Sequence, residues 1–599
     1  MSERPADARA LYESLLARWC DALVALQVRE IRTPGIYGGI LCPLCSRIHG
    51  RSGDAIQPFM RMAHTTGDGR YLDAAVRLQA WSDHVSRSDG SWVNEAVGSD
   101  WKGITAFGLL AHGESLRHHG ALLDAKGRRR WEERLARAAR FIFEFMQIGT
   151  GNINYPISGA AALAIADLVL GEPRYGRRAR ELAHASLAYI SKDNKLLFGE
   201  GKPQDGVTAA GCRAVDLGYN VEESLPNLAL YAKLTNDPEV LGPLVETMRA
   251  HLEFLLPDGA WDNSWGTRNF KWSYWGTRTG DGCQGAYALL ADQDPRFAAA
   301  AFRNAQLLDR FTRDGILAGG LHYPQQGELP CIHHTFCHAR SLATVLDNTA
   351  PLAPAAVALP RDAASGVREF SEIRTWLAGI GPWRATVTAY DWVYDAEALP
   401  AGHASGGALS MLWHSALGPV MLASVTEYAL MEPGNMQPPR EGPPVPLTPR
   451  VELETGGVTY RSINDLTAQV RHQSGPDGIR FEVRGELEDR KQKTPAEPAP
   501  FHLEYELATD RIVIRAWPVP ARRARLVLPF ICSRDEPTRR IEGGMEIEMP
   551  GGRLHVTWNA PETGTDPSIR IFHPVPGFQA LPLAWELSGD PVAVSIRPV

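Results

Sequence analysis

From Trp261 to Arg278 the chain alternates aromatic planes with amide, hydroxyl and guanidinium groups: Trp261, Asp262, Asn263, Trp265, Arg268 and Asn269 are followed by Lys271, Trp272, Tyr274, Trp275 and Arg278. This alternation suits a sugar, because the apolar face of a pyranose ring stacks on an indole while its hydroxyls need fixed donors and acceptors. Arg268, Lys271 and Arg278 add cations able to hold a carboxylate or sulfate on that sugar. The bland alternative is an aromatic cluster that locks a long loop. Trp92, Trp101, Tyr155, Tyr219 and His322 lie in similar surroundings. The run Cys331-Ile332-His333-His334-Thr335-Phe336-Cys337-His338 places three imidazoles within six residues. Imidazole is the side chain most readily poised to move protons near neutral pH; a lone loop histidine is more often structural, and a group of three leaves the chemical and the structural role evenly balanced.

The elements that must position these residues are written as a repeat. Tyr71 to Asp89, Tyr175 to Asp193 and Val240 to Asp258 are each 18 residues apart, and Phe297 to Asp314 is 17; each interval ends in Asp-Gly or Asp-Asn. About five helical turns fit that interval, and a helix recurring with fixed punctuation implies stacked helical hairpins. Residues 7–30, 71–88, 128–147, 175–191, 240–256 and 297–312 read as amphipathic outer helices. Residues 53–65, 103–118, 158–170, 221–234, 282–291 and 333–346 are poorer in charge and richer in Gly and Ala, the mark of helices covered on both sides. Six of each close best as an (α/α)6 toroid over residues 1–348, with the long aromatic-rich loops sharing one mouth. Pro- and Ala-rich residues 349–365 read as a linker. From residue 366 to 599, period-two runs such as Ile479 to Val483, Leu503 to Leu507 and Leu554 to Trp558 predict antiparallel sheets, a β-sandwich.

A chain of 599 residues, 44% hydrophobic and 22% charged, can bury a large core. Its net charge of −7 argues against a nucleic-acid partner, which would need a basic surface. No apolar run is long enough to span a membrane, and the opening Met1-Ser2-Glu3-Arg4-Pro5 lacks the apolar segment of a secretory signal, so a cytoplasmic location is expected. Eight cysteines in a chain this long do not make a disulfide scaffold. No cofactor is expected: buried reduced thiols are the preferred reading, and the alternative is a zinc ion at Cys42, Cys45, Cys331 and Cys337, with His49 nearby.

Asn152-Ile153-Asn154-Tyr155 at the start of an inner helix, Asp216-Leu217-Gly218-Tyr219-Asn220-Val221-Glu222-Glu223-Ser224 on the next, and Gly402-His403-Ala404-Ser405 opening the β-region together resemble the polysaccharide lyases of the heparinase and alginate-lyase superfamily. The resemblance spans the chain at the level of architecture. Tyr155 stands where that pattern has His, and of its Gly-His-x-His-x-Asp element only His403 survives, so no metal site is carried over from it.

What the resemblance implies is β-elimination from a uronate-containing glycan. That reaction needs a group to neutralise the carboxylate, a base for the C5 proton and an acid for the leaving oxygen. Asn154 is the candidate neutraliser, Tyr219 the leading base or acid, and Tyr155, His333 or His334 its complement. Trp92, Trp101, Asn220, Glu222, Asp262, Trp265, Arg268, Trp272, Tyr274, Trp275, Arg278, His322 and His403 are the candidate substrate-binding residues. An acidic oligosaccharide or polysaccharide is the expected partner, attacked from an end if the enzyme is cytoplasmic. A glycoside hydrolase using carboxylates such as Asp54, Asp216, Glu222, Glu223, Asp262 and Asp281 is the competing enzyme reading, and a non-catalytic glycan-binding protein the third.

Overall fold

Outer and inner helices alternate along the first 348 residues. The computed structural model describes residues 7–32, 35–95, 99–269, 284–327, 329–354, 356–363, 365–394, 402–428, 445–476, 478–520, 523–563, 566 and 568–599. The outer helices are α1 (Ala8–Ala25), α3 (Gly69–Trp81), α5 (Ala125–Phe145), α7 (Pro173–Ser186), α10 (Pro238–His251) and α12 (Pro295–Phe311). The inner helices are α2 (Ile56–Thr66), α4 (Thr105–His119), α6 (Asn154–Leu170), α9 (Leu225–Thr235, preceded by the single turn α8, Leu217–Tyr219), α11 (Gln284–Leu289) and α13 (Ile332–Asn348). Each inner helix packs on the next, and α13 returns against α2, which closes the annulus.

The repeated phrase has a local cause at each end. Asp68, Asp124, Asp237 and Asp294 precede outer helices, and their side chains accept hydrogen bonds from otherwise unpaired first-turn amides. The closing Asp-Gly is a turn whose glycine has positive φ, 90° at Gly90, 94° at Gly259 and 75° at Gly315. A Cβ on these glycines would meet a backbone carbonyl of the next outer helix: Arg137 O at 2.4 Å, Arg303 O at 2.4 Å and, where the ring closes on α1, Arg18 O at 2.7 Å. Only glycine satisfies both the conformation and the close approach.

Beyond Gly366 every strand pairing is antiparallel. Among the described residues these strands form three sheets rather than the two expected: a five-stranded meander over Gly366–Leu422, an eight-stranded sheet and a second five-stranded sheet. Trp383 and Leu409 from the first, Phe481 and Leu503 from the second, and Leu528 and Trp585 from the third share one apolar core. The opposite face of the meander contributes Leu377, Met411 and Trp413 to the apolar cluster of the helices. Toroid and β-region are therefore in direct contact. Trp413 Nε1 donates to Asp258 Oδ2 at 3.1 Å, the Ser264 and Ser410 hydroxyls lie 2.9 Å apart, and Tyr323 donates to the Pro574 carbonyl at 2.8 Å. Among the described residues no helix is long and apolar enough to cross a membrane.

Candidate active site

The site begins where α6 begins. Asn154 is its first residue and fully buried; its backbone N–H donates to Glu200 Oε1 at 3.3 Å and its side-chain amide to Glu223 Oε2 at 2.6 Å. Glu223 in turn accepts from Arg51 at 2.9 Å, and Arg51 also pairs with Asp54 at 2.8 Å while its guanidinium lies 3.9 Å above the Phe107 ring. On the other side Arg268 pairs with Glu200 and stands 4.0 Å from Asp216. Asp216 ties two chain segments together, accepting from the backbone N–H of Tyr219 at 3.0 Å and of Arg268 at 2.9 Å. The Arg268 guanidinium carbon stands over the Tyr219 ring, 3.4 Å from its centroid.

The inner helix that carries Tyr219 widens into a π-turn at Asn220–Ser224 before continuing as α9. Pro226 lacks the N–H that a regular helix would return to this turn, and single π-turns often occur at functional positions. The wider turn aims Glu223 at Arg51 and Asn154, while Glu222 faces His338 at 4.0 Å. Tyr155 stands edge-on to Trp101, 4.8 Å between ring centroids, and Trp101 is 36% exposed at the rim. Desolvation raises the Tyr155 phenol well above the usual tyrosine value, and the Glu223 charge acts in the same direction. Burial pushes Glu200 up to about 7 against the pull of Arg268. His333 lies behind Arg51, its ring 5.9 Å from that of His49; burial and the Arg51 charge hold its imidazole well below the usual value, so it is neutral.

The structure brings Asn154, Tyr155, Tyr219, Arg268 and the Trp101 rim together, with His333 one layer back. His334 is fully buried in the first turn of α13. Several other expected ligands are placed elsewhere. Trp92 is buried against Gly108 of α4, where an added Cβ would fall 2.0 Å from its ring, so it offers no stacking face. Asn220 faces away from the cluster and donates to the Leu197 carbonyl at 2.7 Å and to His251 Nε2 at 3.0 Å. Glu222 is sealed beside His338. Asp262 and Trp265 belong to the seam with the β-region: Asp262 accepts from Thr386, and Trp265 packs on Phe254 and Tyr390. His322 accepts from the Gln579 N–H at 2.8 Å across the same seam, and His403 is hydrogen-bonded to the Tyr390 carbonyl at 2.8 Å. Trp272, Tyr274, Trp275 and Arg278 lie outside the described residues, as do Lys271 and Asp281.

Sequence reasoning assigned no role to Arg51, Glu200 or Tyr394. Glu200 stands between Gly199 and Gly201 in the loop before α8, and Arg51 follows His49 by two residues; both patterns were available as signals. Tyr394 had none, because it reaches the site from the β-region: its ring lies 5.8 Å from the Arg268 guanidinium and its hydroxyl 3.4 Å from the Asn152 amide. The carboxylates do not flank an open bond as a hydrolase requires. Asp54 and Glu223 are bridged by Arg51, and Glu200 and Asp216 lie against Arg268. Among the described residues, Cys42, Cys45 and His49 have metal-ligand geometry, beside this cluster rather than in it.

An annulus of paired helices joined to an antiparallel β-region, together with the relatives that follow, makes the chain a polysaccharide lyase. The chain belongs to the ulvan lyase family: residues 16–362 match the Ulvan lyase N-terminal domain and residues 367–598 the Ulvan lyase C-terminal domain. A "Broad-specificity ulvan lyase" of Formosa agariphila is 38% identical over 590 residues, covering 97% of this chain and 92% of the relative. Among solved structures, heparinase III superposes with a TM-score of 0.54 at 10% identity, covering 91% of this chain and 76% of that one. The chondroitin AC lyase of Streptomyces coelicolor A3 gives 0.51 at 13%, covering 98% and 79%. These two likenesses show the fold. The enzyme cleaves a uronic-acid-containing glycan, and its partner is an acidic polysaccharide.

Proposed function

We infer that the enzyme depolymerises ulvan by β-elimination, with Tyr219 as base, Tyr155 as acid and Asn154 as the carboxylate's hydrogen-bond donor. The observation that carries this reading is the meeting of both phenols and the Asn154 amide in one cluster. Desolvation and Glu223 keep Tyr155 protonated, whereas a guanidinium covers the face of Tyr219 at 3.4 Å. Both guanidiniums and one N–H of the Asn154 amide are engaged by protein carboxylates, and the second N–H of that amide is the donor assigned to the substrate carboxylate. In the reaction the C5–H bond breaks and its proton passes to the Tyr219 oxygen. The electron pair forms the C4–C5 double bond, the C4–O bond breaks, and the leaving oxygen takes the Tyr155 proton. Trp101 supplies the exposed apolar face for a neighbouring sugar ring.

Incubation with ulvan, followed by ultraviolet absorbance of the unsaturated uronate, tests the substrate. Tyr219→Phe is expected to lower kcat by about 10²–10⁴-fold while retaining polysaccharide binding. Near-normal turnover in Tyr219→Phe would remove it as base. Failure on ulvan with activity on another uronate polysaccharide would overturn the substrate and leave the site assignment standing.

A further inference from the structure

We propose that Cys42, Cys45, His49 and Cys331 form a structural zinc centre that clamps the first long loop to the start of α13, next to the catalytic cluster but outside it. Ligand atoms of Cys42, Cys45 and His49 all lie within 4.8 Å of one another. Cys331, distant in sequence, brings its sulfur to 3.7 Å from that of Cys42. A disulfide would need about 2.05 Å, so the two sulfurs are not bonded to each other. Tetrahedral zinc with Zn–S bonds of about 2.3 Å holds its sulfurs about 3.8 Å apart, and places a ligating nitrogen about 3.6 Å from each sulfur. The Cys45 sulfur stands 3.4 Å from His49 Nε2. These two separations match edges of a zinc tetrahedron: Cys42, Cys45 and His49 form the mutually close set, and Cys331 meets it through Cys42.

The surrounding backbone supports the same reading. Cys42-Pro43-Leu44-Cys45 turns back on itself: the Ser46 N–H donates to the Cys42 carbonyl at 2.9 Å, the Cys42 N–H to the Arg47 carbonyl at 2.9 Å, and Ser46 takes a positive φ of 54°. Cys331 caps α13, its sulfur receiving the His333 N–H at 3.5 Å. Cys337 is excluded from the centre, because its sulfur points to Asp54 at 4.0 Å. The clamp has a purpose in the fold. It fixes His49 two residues before Arg51, and Cys331 two residues before His333, so the ion would set the position of the wall behind the reacting groups without touching substrate.

The test is elemental analysis of the intact enzyme after exhaustive dialysis against metal-free buffer, with thiol titration before and after exposure to a strong chelator. About one zinc per chain is expected. Its removal should expose three further titratable thiols and lower Tm. Cys45→Ser and Cys331→Ser should lose the metal, and Cys337→Ser should keep it. Zinc at background level in the wild-type enzyme, or peptide mapping that shows a Cys42–Cys331 disulfide, would overturn the proposal even if the variants failed to fold. So would full zinc retention in Cys331→Ser.

Discussion

Asn154 holds the proposed carboxylate-binding position, and its surroundings leave little room for substitution. Its amide nitrogen sits 2.6 Å from Glu223 Oε2 in a fully buried position. In the proposed mechanism Asn154→Ala removes a donor for the substrate carboxylate, and loss of one such donor lowers rate by about 10²–10³-fold. Asn154→Asp is nearly isosteric yet should be worse. It opposes two carboxylates without water between them, so one must take up a proton or the cluster must open. The expected order of kcat/KM is wild type, then Ala, then Asp, with Asp also lowest in Tm. An Asp variant as stable as wild type would remove the argument from carboxylate repulsion. Much of this cluster was legible in the residues, since Asn154, Tyr155 and Tyr219 carry the motif. Arg51 and Glu200 were not, because their significance lies in the partners that folding supplies.

Among the helices and turns, the repeated Asp-Gly is the feature whose physics is most exposed. Gly259 combines positive φ with a carbonyl 2.4 Å from where a Cβ would stand, whereas Gly67 has positive φ but open space. Gly67→Ala should lower stability by about 1–2 kcal/mol for the left-handed conformation alone. Gly259→Ala should lose about 1–3 kcal/mol more, because α12 must shift. Equal thermal midpoints in the two variants would remove the packing argument. Helix periodicity announced all twelve major helices, because a helix covered on one side and a helix covered on both differ in composition. The π-turn at Asn220–Ser224 was not announced, since it changes the aim of Glu223 without changing the apolar pattern.

Across the whole molecule, docking of the β-region on the toroid mouth decides the site's outer wall. His322 reports on that seam. It is 2% exposed, its Nδ1 accepts from the Gln579 N–H, and burial pushes its imidazole down to about 4 from 6.5. A lowered value in the folded state means that the unfolded chain binds the proton first. The contribution to stability is therefore present above pH about 6.5 and is lost as pH falls towards about 4, amounting to about 3 kcal/mol. His322→Asn keeps an acceptor for Gln579 but cannot titrate. Its Tm should fall less steeply than wild type between pH 7 and 4, roughly the window set by the two values. Parallel slopes would show that the seam does not exclude the imidazolium.

Taken alone, the order of residues determined the twelve-helix annulus, the antiparallel half and the amide and phenols at an inner-helix start, because periodicity, capping and local motifs act over a few turns of chain. Which aromatic groups face solvent was decided only in three dimensions. Trp101 remains at the rim while Trp92 and Trp265 are consumed by packing, although all three stand in loops of like composition. The same holds for Cys331 beside Cys42, for Tyr394 beside Arg268, and for the pairing of each guanidinium with its carboxylates. Contacts between residues hundreds of positions apart depend on how rings and sheets close on one another, and no local pattern carries that information.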